Sequence, residues 1–295
     1  MKLGLGTVQF GLDYGISNKS GRVPQDQVHK IITSAQAQDI QVLDTAFLYG
    51  SSEEVLGNVL SSHNLNHDFT IVTKTPQFSS VLTKHDGQIL EDSFLQSLMR
   101  LRMTKTYGLL IHQAQDLLKQ DSQILWGKML ELRERNLVKK IGVSVYTKQE
   151  LEEILKKFTP DLIQLPINVF DQTLCDLLPQ LKQNNIEIHA RSVFLQGLLL
   201  MELQDVPNYF DPIKSHIKQY KSYTKNYGLS GLQAALKFCH DLKHIDVALV
   251  GICSCDQLDQ IVHAYNMLPQ EQLDFSSFAL TDEKIIKPSL WRLSL

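Results

Sequence analysis

Cysteine is scarce in this chain: Cys175, Cys239, Cys253 and Cys255 are the four present among 295 residues. So few, so unevenly placed, exclude a disulfide framework and suit a reducing compartment. The close pair in GICSC has no second Cys or His pair at zinc-finger spacing, so no metal is expected. His63 and His67 read as solvated polar residues near a loop. No stretch approaches the roughly 18 apolar residues of a membrane span. The opening MKLGLGTVQFGLDYG lacks the apolar core of a secretory leader. A cytoplasmic protein with no membrane partner is therefore expected. No charge of one sign accumulates either: 29 basic residues stand against 32 acidic ones, for a net charge of −3, which excludes the electrostatic footprint of a nucleic-acid binder. Low-complexity segments and internal linkers are missing, so residues 1–295 read as one domain. Nothing points to a particular oligomeric state.

Against those absences stands an ordinary globular balance, with 43% hydrophobic and 21% charged residues. Short runs rich in Val, Ile and Leu recur every 30 to 40 or so residues, each followed by apolar positions at helical spacing. The candidate strands cover 2–8, 41–46, 69–75, 107–112, 139–145, 161–167, 186–192 and 246–251. Between them lie helical patterns such as QDQVHKIITSAQAQ, SSEEVLGNVLSS, QILEDSFLQSLMRL and CDQLDQIVHAYNML. Parallel strands need such crossovers, and continuous apolar runs suit strands covered on both faces. Eight strand and helix units predict an α/β fold of the (β/α)8 TIM-barrel type, for which one domain of about 250 residues is usual. An open doubly wound sheet would put a G-x-G-x-x-G turn after its first strand. GLGTVQFG has the wrong spacing and runs on into a polar loop rather than a helix start. The irregular stretch 197–226 after the seventh strand reads as an active-site loop.

In such a barrel the reactive residues sit at the carboxyl ends of the strands. The second candidate strand ends in Asp44, with Tyr49 five residues on; the third ends in Lys74 and the fourth in His112. Each alone has a plain structural explanation: a helix cap, a rim ring, an exposed lysine, a bonded core imidazole. Four titratable groups at the same end of three successive strands have no structural reason to coincide. Together they suit proton donation to a carbonyl oxygen. A phenol, ordinarily of pKa about 10, needs a cationic neighbour to act near pH 7, and Lys74 would supply it. Asp44 would be the counter-ion of that ammonium, and His112 would orient the carbonyl and share in the proton relay. Two other functions use the same residues: a Schiff-base aldolase with Lys74 as nucleophile, and a cofactor-sensing binding protein on the same scaffold.

Taken in order, LDTAFLYG, IVTKTP, LLIHQ, KKIGVSVY, DLIQLPIN, IHARSVFLQGLL and LVGICSCDQL resemble the aldo-keto reductases over essentially the whole chain. The resemblance implies an NAD(P)H-dependent reductase of aldehydes or ketones with Tyr49 as general acid, Lys74 and Asp44 tuning it, and His112 orienting the carbonyl. It further implies that Ser144 and Gln164 bind the nicotinamide carboxamide and that Leu195, Gln196 and Gly197 follow the pyrophosphate. Gly251, Ser254 and Gln257 would meet the adenosine phosphate. Arg191 stands where the family commonly stacks an aromatic ring on the nicotinamide; its charge would repel the oxidised, cationic ring and bias binding toward the reduced cofactor. Family habit favours NADP(H) over NAD(H), although Gly251 and Gln257 replace the cations common at the phosphate position. Phe10, Tyr14, Phe47, Gln113, Phe194 and Trp291 are the expected substrate-pocket residues, for small aldehydes and sugar-derived carbonyls first.

Overall fold

Eight apolar segments pair edge to edge in the order in which the chain supplies them, and the last closes on the first. They are β1 (Lys2–Gly6), β2 (Val42–Asp44), β3 (Thr70–Lys74), β4 (Thr106–Ile111), β5 (Val138–Ser144), β6 (Leu162–Pro166), β7 (Glu187–Arg191) and β8 (Val247–Gly251). All neighbouring pairs are parallel, including β1 with β8. The computed structural model describes residues 1–292. Each strand falls inside or within one residue of its expected segment; the ends trim back where ladder bonding stops, most at β2, whose ladder spans three residues.

The crossovers are helices laid over the barrel: α1 (Gln25–Ala37), α2 (Ser52–Ser62), α3 (Lys84–Leu101), α4 (Gln123–Glu134), α5 (Lys148–Leu155), α6 (Leu178–Gln183), α7 (Lys214–Asn226), α8 (Gly231–Asp241) and α9 (Cys255–Asn266). Their apolar stripes bury against the outer faces of the strands, as Val28, Ile31, Ile32 and Ala35 of α1 do. The main core thus lies between strands and helices. Inside the barrel two smaller groups pack separately, Val42 with Val247 and Leu249, and Val72 with Leu110 and Leu162.

Those interior residues fix the position of the site. Side chains alternate along a strand, so the residue two beyond an interior one also faces inward, one layer nearer the carboxyl mouth. Two beyond Val42 is Asp44, beyond Val72 is Lys74, beyond Leu110 is His112, beyond Leu162 is Gln164, and beyond Leu249 is Gly251. The register keeps these ends level: Gly6 lies beside Asp44, Ser144 beside Gln164, and Pro166 beside Arg191.

Two stretches differ from expectation. After β1 the chain makes one helical turn, Val8–Gly11, before it becomes a loop, because Phe10 turns inward and is fully buried. The stretch 197–226 is largely ordered secondary structure, a 3-10 segment at Asn208–Ile213 running into α7, and only its first residues reach the mouth.

Candidate active site

A cavity of about 560 Å³ opens at the carboxyl mouth of the barrel. Asp44, Tyr49 and His112 line it at one end; Gly251, Cys253, Gln257 and Gln260 line the other. Lys74 sits just beneath the wall, 1% exposed. Its ammonium donates to both oxygens of Asp44, at 2.8 and 2.7 Å, and to the carbonyl of Thr45 at 2.8 Å. Asp44 also accepts from the Gln164 amide at 2.7 Å. This is a buried ion pair in which each charge is multiply bonded, the condition under which such pairs persist. Burial pushes the Lys74 ammonium below its usual range, with Asp44 opposing that shift.

Tyr49 lies on the turn between β2 and α2. Its amide donates to Ala46, and Ser52 donates back to its carbonyl, both at 3.0 Å. Below the turn, buried hydroxyls tie it to β1: Ser52 Oγ donates to the Thr7 carbonyl, Thr45 Oγ1 to Ser52 Oγ, and Thr7 Oγ1 to the Asp44 carbonyl. The turn presses so closely on the segment after β1 that a Cβ on Gly11 would overlap the Tyr49 carbonyl oxygen. The Lys74 ammonium stands 5.0 Å from the centre of the Tyr49 ring. Its three protons point to Asp44 and Thr45 rather than to the phenol, which differs from the direct pairing that the sequence suggests. Burial, and then the Asp44 charge, raise the Tyr49 phenol above its ordinary range, with Arg191 pulling the other way. The phenol is therefore a protonated donor at any ordinary pH.

His112 follows β4 and meets the Tyr49 ring edge-on, centroids 5.7 Å apart. Burial first, then the charges of Lys74 and Arg191, push it down to about 3, so the imidazole is neutral. Its Nδ1 is sealed from solvent with no hydrogen-bond partner among the described residues. A neutral imidazole can orient an oxygen by a hydrogen bond; it is not a reservoir of protons near pH 7, which narrows the relay role expected from sequence.

The other expected residues divide. Ser144, Gln164, Arg191, Gln196, Gly197, Gly251 and Gln257 line the cavity, as do Tyr14, Gln113 and Phe194. Gly197 has φ of +93°, and a Cβ there would overlap Ser17 Oγ, where the loop after β1 crosses the mouth. That crossing is bonded twice, Ser17 Oγ to the Gln196 carbonyl at 3.3 Å and the Gln196 amide to the Tyr14 hydroxyl at 3.1 Å. Leu195 is fully buried in the core. Ser254 caps α9, accepting from the Gln257 amide N–H at 3.2 Å, while the Gln257 side-chain oxygen accepts from Cys253 N at 2.7 Å.

Three expected pocket residues lie elsewhere. Phe10 is drawn into the core by its one-turn helix. Phe47 lies beneath the Arg100 guanidinium, 4.5 Å from its ring centre. Trp291 packs edge-on against Phe210 at 4.9 Å and donates from Nε1 to the Ile285 carbonyl at 3.0 Å. Each ring finds apolar or cationic packing outside the mouth, so the cavity is more polar than expected.

Tyr146 and Gln9 are among the lining residues that were missed. Tyr146, two past Ser144, is turned inward by the same alternation that places Ser144, and the capping box of α5 fixes its backbone: Glu150 accepts from Tyr146 N at 2.8 Å and Thr147 N at 2.9 Å. Gln9 lines the cavity beneath Gly251, with Oε1 buried and unpartnered. No pattern in the sequence marks it.

The fold is thus a closed (β/α)8 barrel with Asp44, Tyr49, Lys74 and His112 gathered at its carboxyl mouth. The model of the aldo/keto reductase family matches residues 2–282, and the chain belongs to that family. Among curated proteins it is similar to L-galactose dehydrogenase of Arabidopsis thaliana, 25% identical over an alignment of 282 residues that covers 91% of this chain and 86% of the relative. It is also similar to aldo-keto reductase YhdN of Bacillus subtilis (strain 168), 24% identical over 94% of this chain and 89% of that protein. Among solved structures, aldo-keto reductase AKR11C1 from Bacillus halodurans in its holo form superposes with a TM-score of 0.75, at 17% identity, over 92% of this chain and 88% of that one. The glycerol dehydrogenase AKR11B4 from Gluconobacter oxydans superposes with a TM-score of 0.67, at 21% identity, over 96% and 88%.

Proposed function

We propose that this protein reduces an aldehyde or ketone to the alcohol with a nicotinamide dinucleotide, Tyr49 giving the proton. The observation that carries the reading is the gathering of a protonated phenol, a neutral imidazole and a buried Asp44–Lys74 pair at one end of one cavity. When bound, the reduced nicotinamide would supply the hydride to the carbonyl carbon. Tyr49 delivers its hydroxyl proton to the carbonyl oxygen. His112, which lines the same end of the cavity, would hold that oxygen from the other side by a hydrogen bond. Lys74 and Asp44 fix the floor on which the Tyr49 turn rests.

The chain's own groups fit such a cofactor. Gln164 spends an N–H on Asp44, which orients its amide and leaves the oxygen for a carboxamide donor; Ser144 beside it supplies a hydroxyl. The orphaned Gln9 Oε1 asks for a donor from the ligand. Gln196 and Gly197 would follow the pyrophosphate, Leu195 holding their loop from the core, with Gly251 and Gln257 at the adenosine end and Ser254 capping the helix there. NADP(H) over NAD(H) is the family habit we adopt. Gln257 and Gln260, rather than cations, line that end, so we expect the preference to be less than ~10-fold, about one well-made charged hydrogen bond. Tyr14, Gln113 and Phe194 would meet the substrate, and the sugar and polyol named in two relatives keep sugar-derived carbonyls beside small aldehydes. Among the described residues no helix is long and apolar enough to cross a membrane. We place the protein in the cytoplasm, where its four free thiols would stay reduced.

A Schiff-base role for Lys74 has less support, because all three ammonium protons are engaged and the group does not line the cavity. A cofactor-sensing protein would have no use for a complete proton-donor group. The test is fluorescence titration with NADPH and NADH, followed by oxidation of the bound cofactor against a panel of carbonyls. Binding followed by oxidation is expected; binding of neither cofactor would overturn the proposal.

A further inference from the structure

The charges along the cavity do not balance. Asp44 is the one carboxylate among its described lining residues, and Lys74 holds it from beneath with two hydrogen bonds. Two cations also line the space, Lys19 on the exposed loop after β1 and Arg191 at the end of β7. Arg191 is half-buried, and no carboxylate among the described residues comes within ion-pair distance of it. Asp171 feels its charge, but that carboxylate is buried and bonded to Thr173.

What surrounds Arg191 instead is uncharged. The guanidinium carbon lies over the Tyr146 ring, 4.0 Å from its centre, and the capping box of α5 holds the backbone of Tyr146. Nη2 donates to the Val145 carbonyl at 3.1 Å, and Nη1 makes a long contact of 3.5 Å with Ser192 Oγ. A guanidinium carries five N–H donors in one plane, so about three remain unused. The ring contact and the bond to Val145 together limit the directions in which those donors point. This is the arrangement that a carboxylate fills with two parallel hydrogen bonds.

The location places Arg191 toward the proton-donor group rather than the adenosine end. Arg191 sits beside Pro166 and next to the end of β5, and its charge is felt at Tyr49, His112 and Tyr14. The Gly251 and Gln257 wall belongs to β8 and α9. An unneutralised, pre-oriented guanidinium at the reacting end is matched to a charge on the molecule being reduced.

We propose that Arg191, held by Tyr146, is a substrate subsite, and that the preferred substrate is a carbonyl compound bearing a carboxylate. The inference rests on the reductase reading above and adds the acidic group to its substrate class. A carboxylate would neutralise the guanidinium and take up those donors in parallel, which a neutral substrate would not do.

The test uses matched pairs with the full-length protein and saturating cofactor: carboxybenzaldehyde against benzaldehyde, and succinic semialdehyde against butanal. The quantity read is the ratio of kcat/KM, acid over neutral, within one protein. That ratio divides out any effect of a variant on folding or on cofactor affinity. The native protein is expected to favour the acid by ~10- to 100-fold, the scale of a charged bidentate contact. Arg191→Gln should bring the ratio to near one, and Arg191→Lys should keep part of it. A native ratio near one, or a ratio that survives Arg191→Gln, overturns the proposal. So does a variant that changes only the relative affinity for oxidised and reduced cofactor, since that assigns Arg191 to the nicotinamide. A second arm measures binding of carboxybenzyl alcohol and benzyl alcohol to the protein–cofactor complex by fluorescence. If the acid binds in an Arg191-dependent way while no carbonyl is turned over, the subsite stands and the reductase reading falls. If both members are turned over with no Arg191-dependent selectivity, the reverse holds.

Discussion

Removing one member of the Asp44–Lys74 pair should damage the protein far more than removing both. In Lys74→Met the Asp44 carboxylate stays in the wall of the barrel with Gln164 as its remaining side-chain donor, out of the three donations it now accepts. In Asp44→Leu the Lys74 ammonium, 1% exposed, keeps only the Thr45 carbonyl. A buried charge stripped of its partner costs about 3–5 kcal/mol. There is a ceiling, because the orphan can neutralise itself: at pH 7 that takes about 4–5 kcal/mol for either a lysine or an aspartate starting from its ordinary pKa. The ceiling moves oppositely with pH. The cost of Asp44→Leu should shrink as pH rises from 7 to 9, and that of Lys74→Met should shrink as pH falls from 7 to 5, each by up to ~1.4 kcal/mol per unit. The double variant removes both charges and should cost at least ~2 kcal/mol less than the sum. Guanidinium unfolding followed by the fluorescence of Trp126 and Trp291 measures all of these. Single variants costing less than ~1 kcal/mol, additive behaviour in the double, or pH trends of the same sign would refute the reasoning.

Three further expectations use the same instruments. His112 is held far below an unfolded histidine, so below pH 6.5 the unfolded chain takes up a proton that the native site refuses; its contribution is complete above pH 6.5 and is lost as pH falls toward 3. His112→Gln should flatten the loss of stability between pH 6.5 and 4 by up to ~1.4 kcal/mol per unit, and an unaltered slope would contradict the burial argument. Gly11→Ala pushes a methyl group into the Tyr49 carbonyl oxygen and should destabilise by at least ~2 kcal/mol while lowering turnover. Gly127→Ala in α4 meets nothing within 4 Å and should instead stabilise by about 0.5–1 kcal/mol; equal effects of the two would mean that the Tyr49 turn has slack.

The barrel was legible because parallel strands covered on both faces advertise themselves as apolar runs, and each run lies where its strand forms. The site was legible for a related reason. Asp44, Lys74 and Ser144 end their strands, His112 follows β4 and Gln164 lies two residues short of the end of β6, and once the strands are placed, alternation leaves their direction no freedom. Residues whose place depends on loops were not legible. Phe47 and Trp291 carry aromatic rings near the mouth in sequence, but Arg100 and Phe210, distant along the chain, decide where those rings pack. Phe10 was misplaced because one helical turn rotates it inward, a choice made by local backbone bonding after β1. Gln9 carries no signal of its own, and Tyr146 needed the alternation to be carried two residues past the strand. The charge state of the group is a property of burial: Lys74 reads as the partner of the phenol, whereas its protons are spent on Asp44 and Thr45.

In the proposed reaction Tyr49 protonates a carbonyl oxygen while its carbon accepts a hydride beside it. It is tested most directly in a single turnover with reduced cofactor deuterated at its transferable hydrogen, comparing the native protein with Tyr49→Phe. The label should appear on the carbinol carbon of the product, and Tyr49→Phe should transfer it at least ~100-fold more slowly while binding cofactor as before. An alcohol product without the label, or transfer at the native rate in Tyr49→Phe, would contradict it.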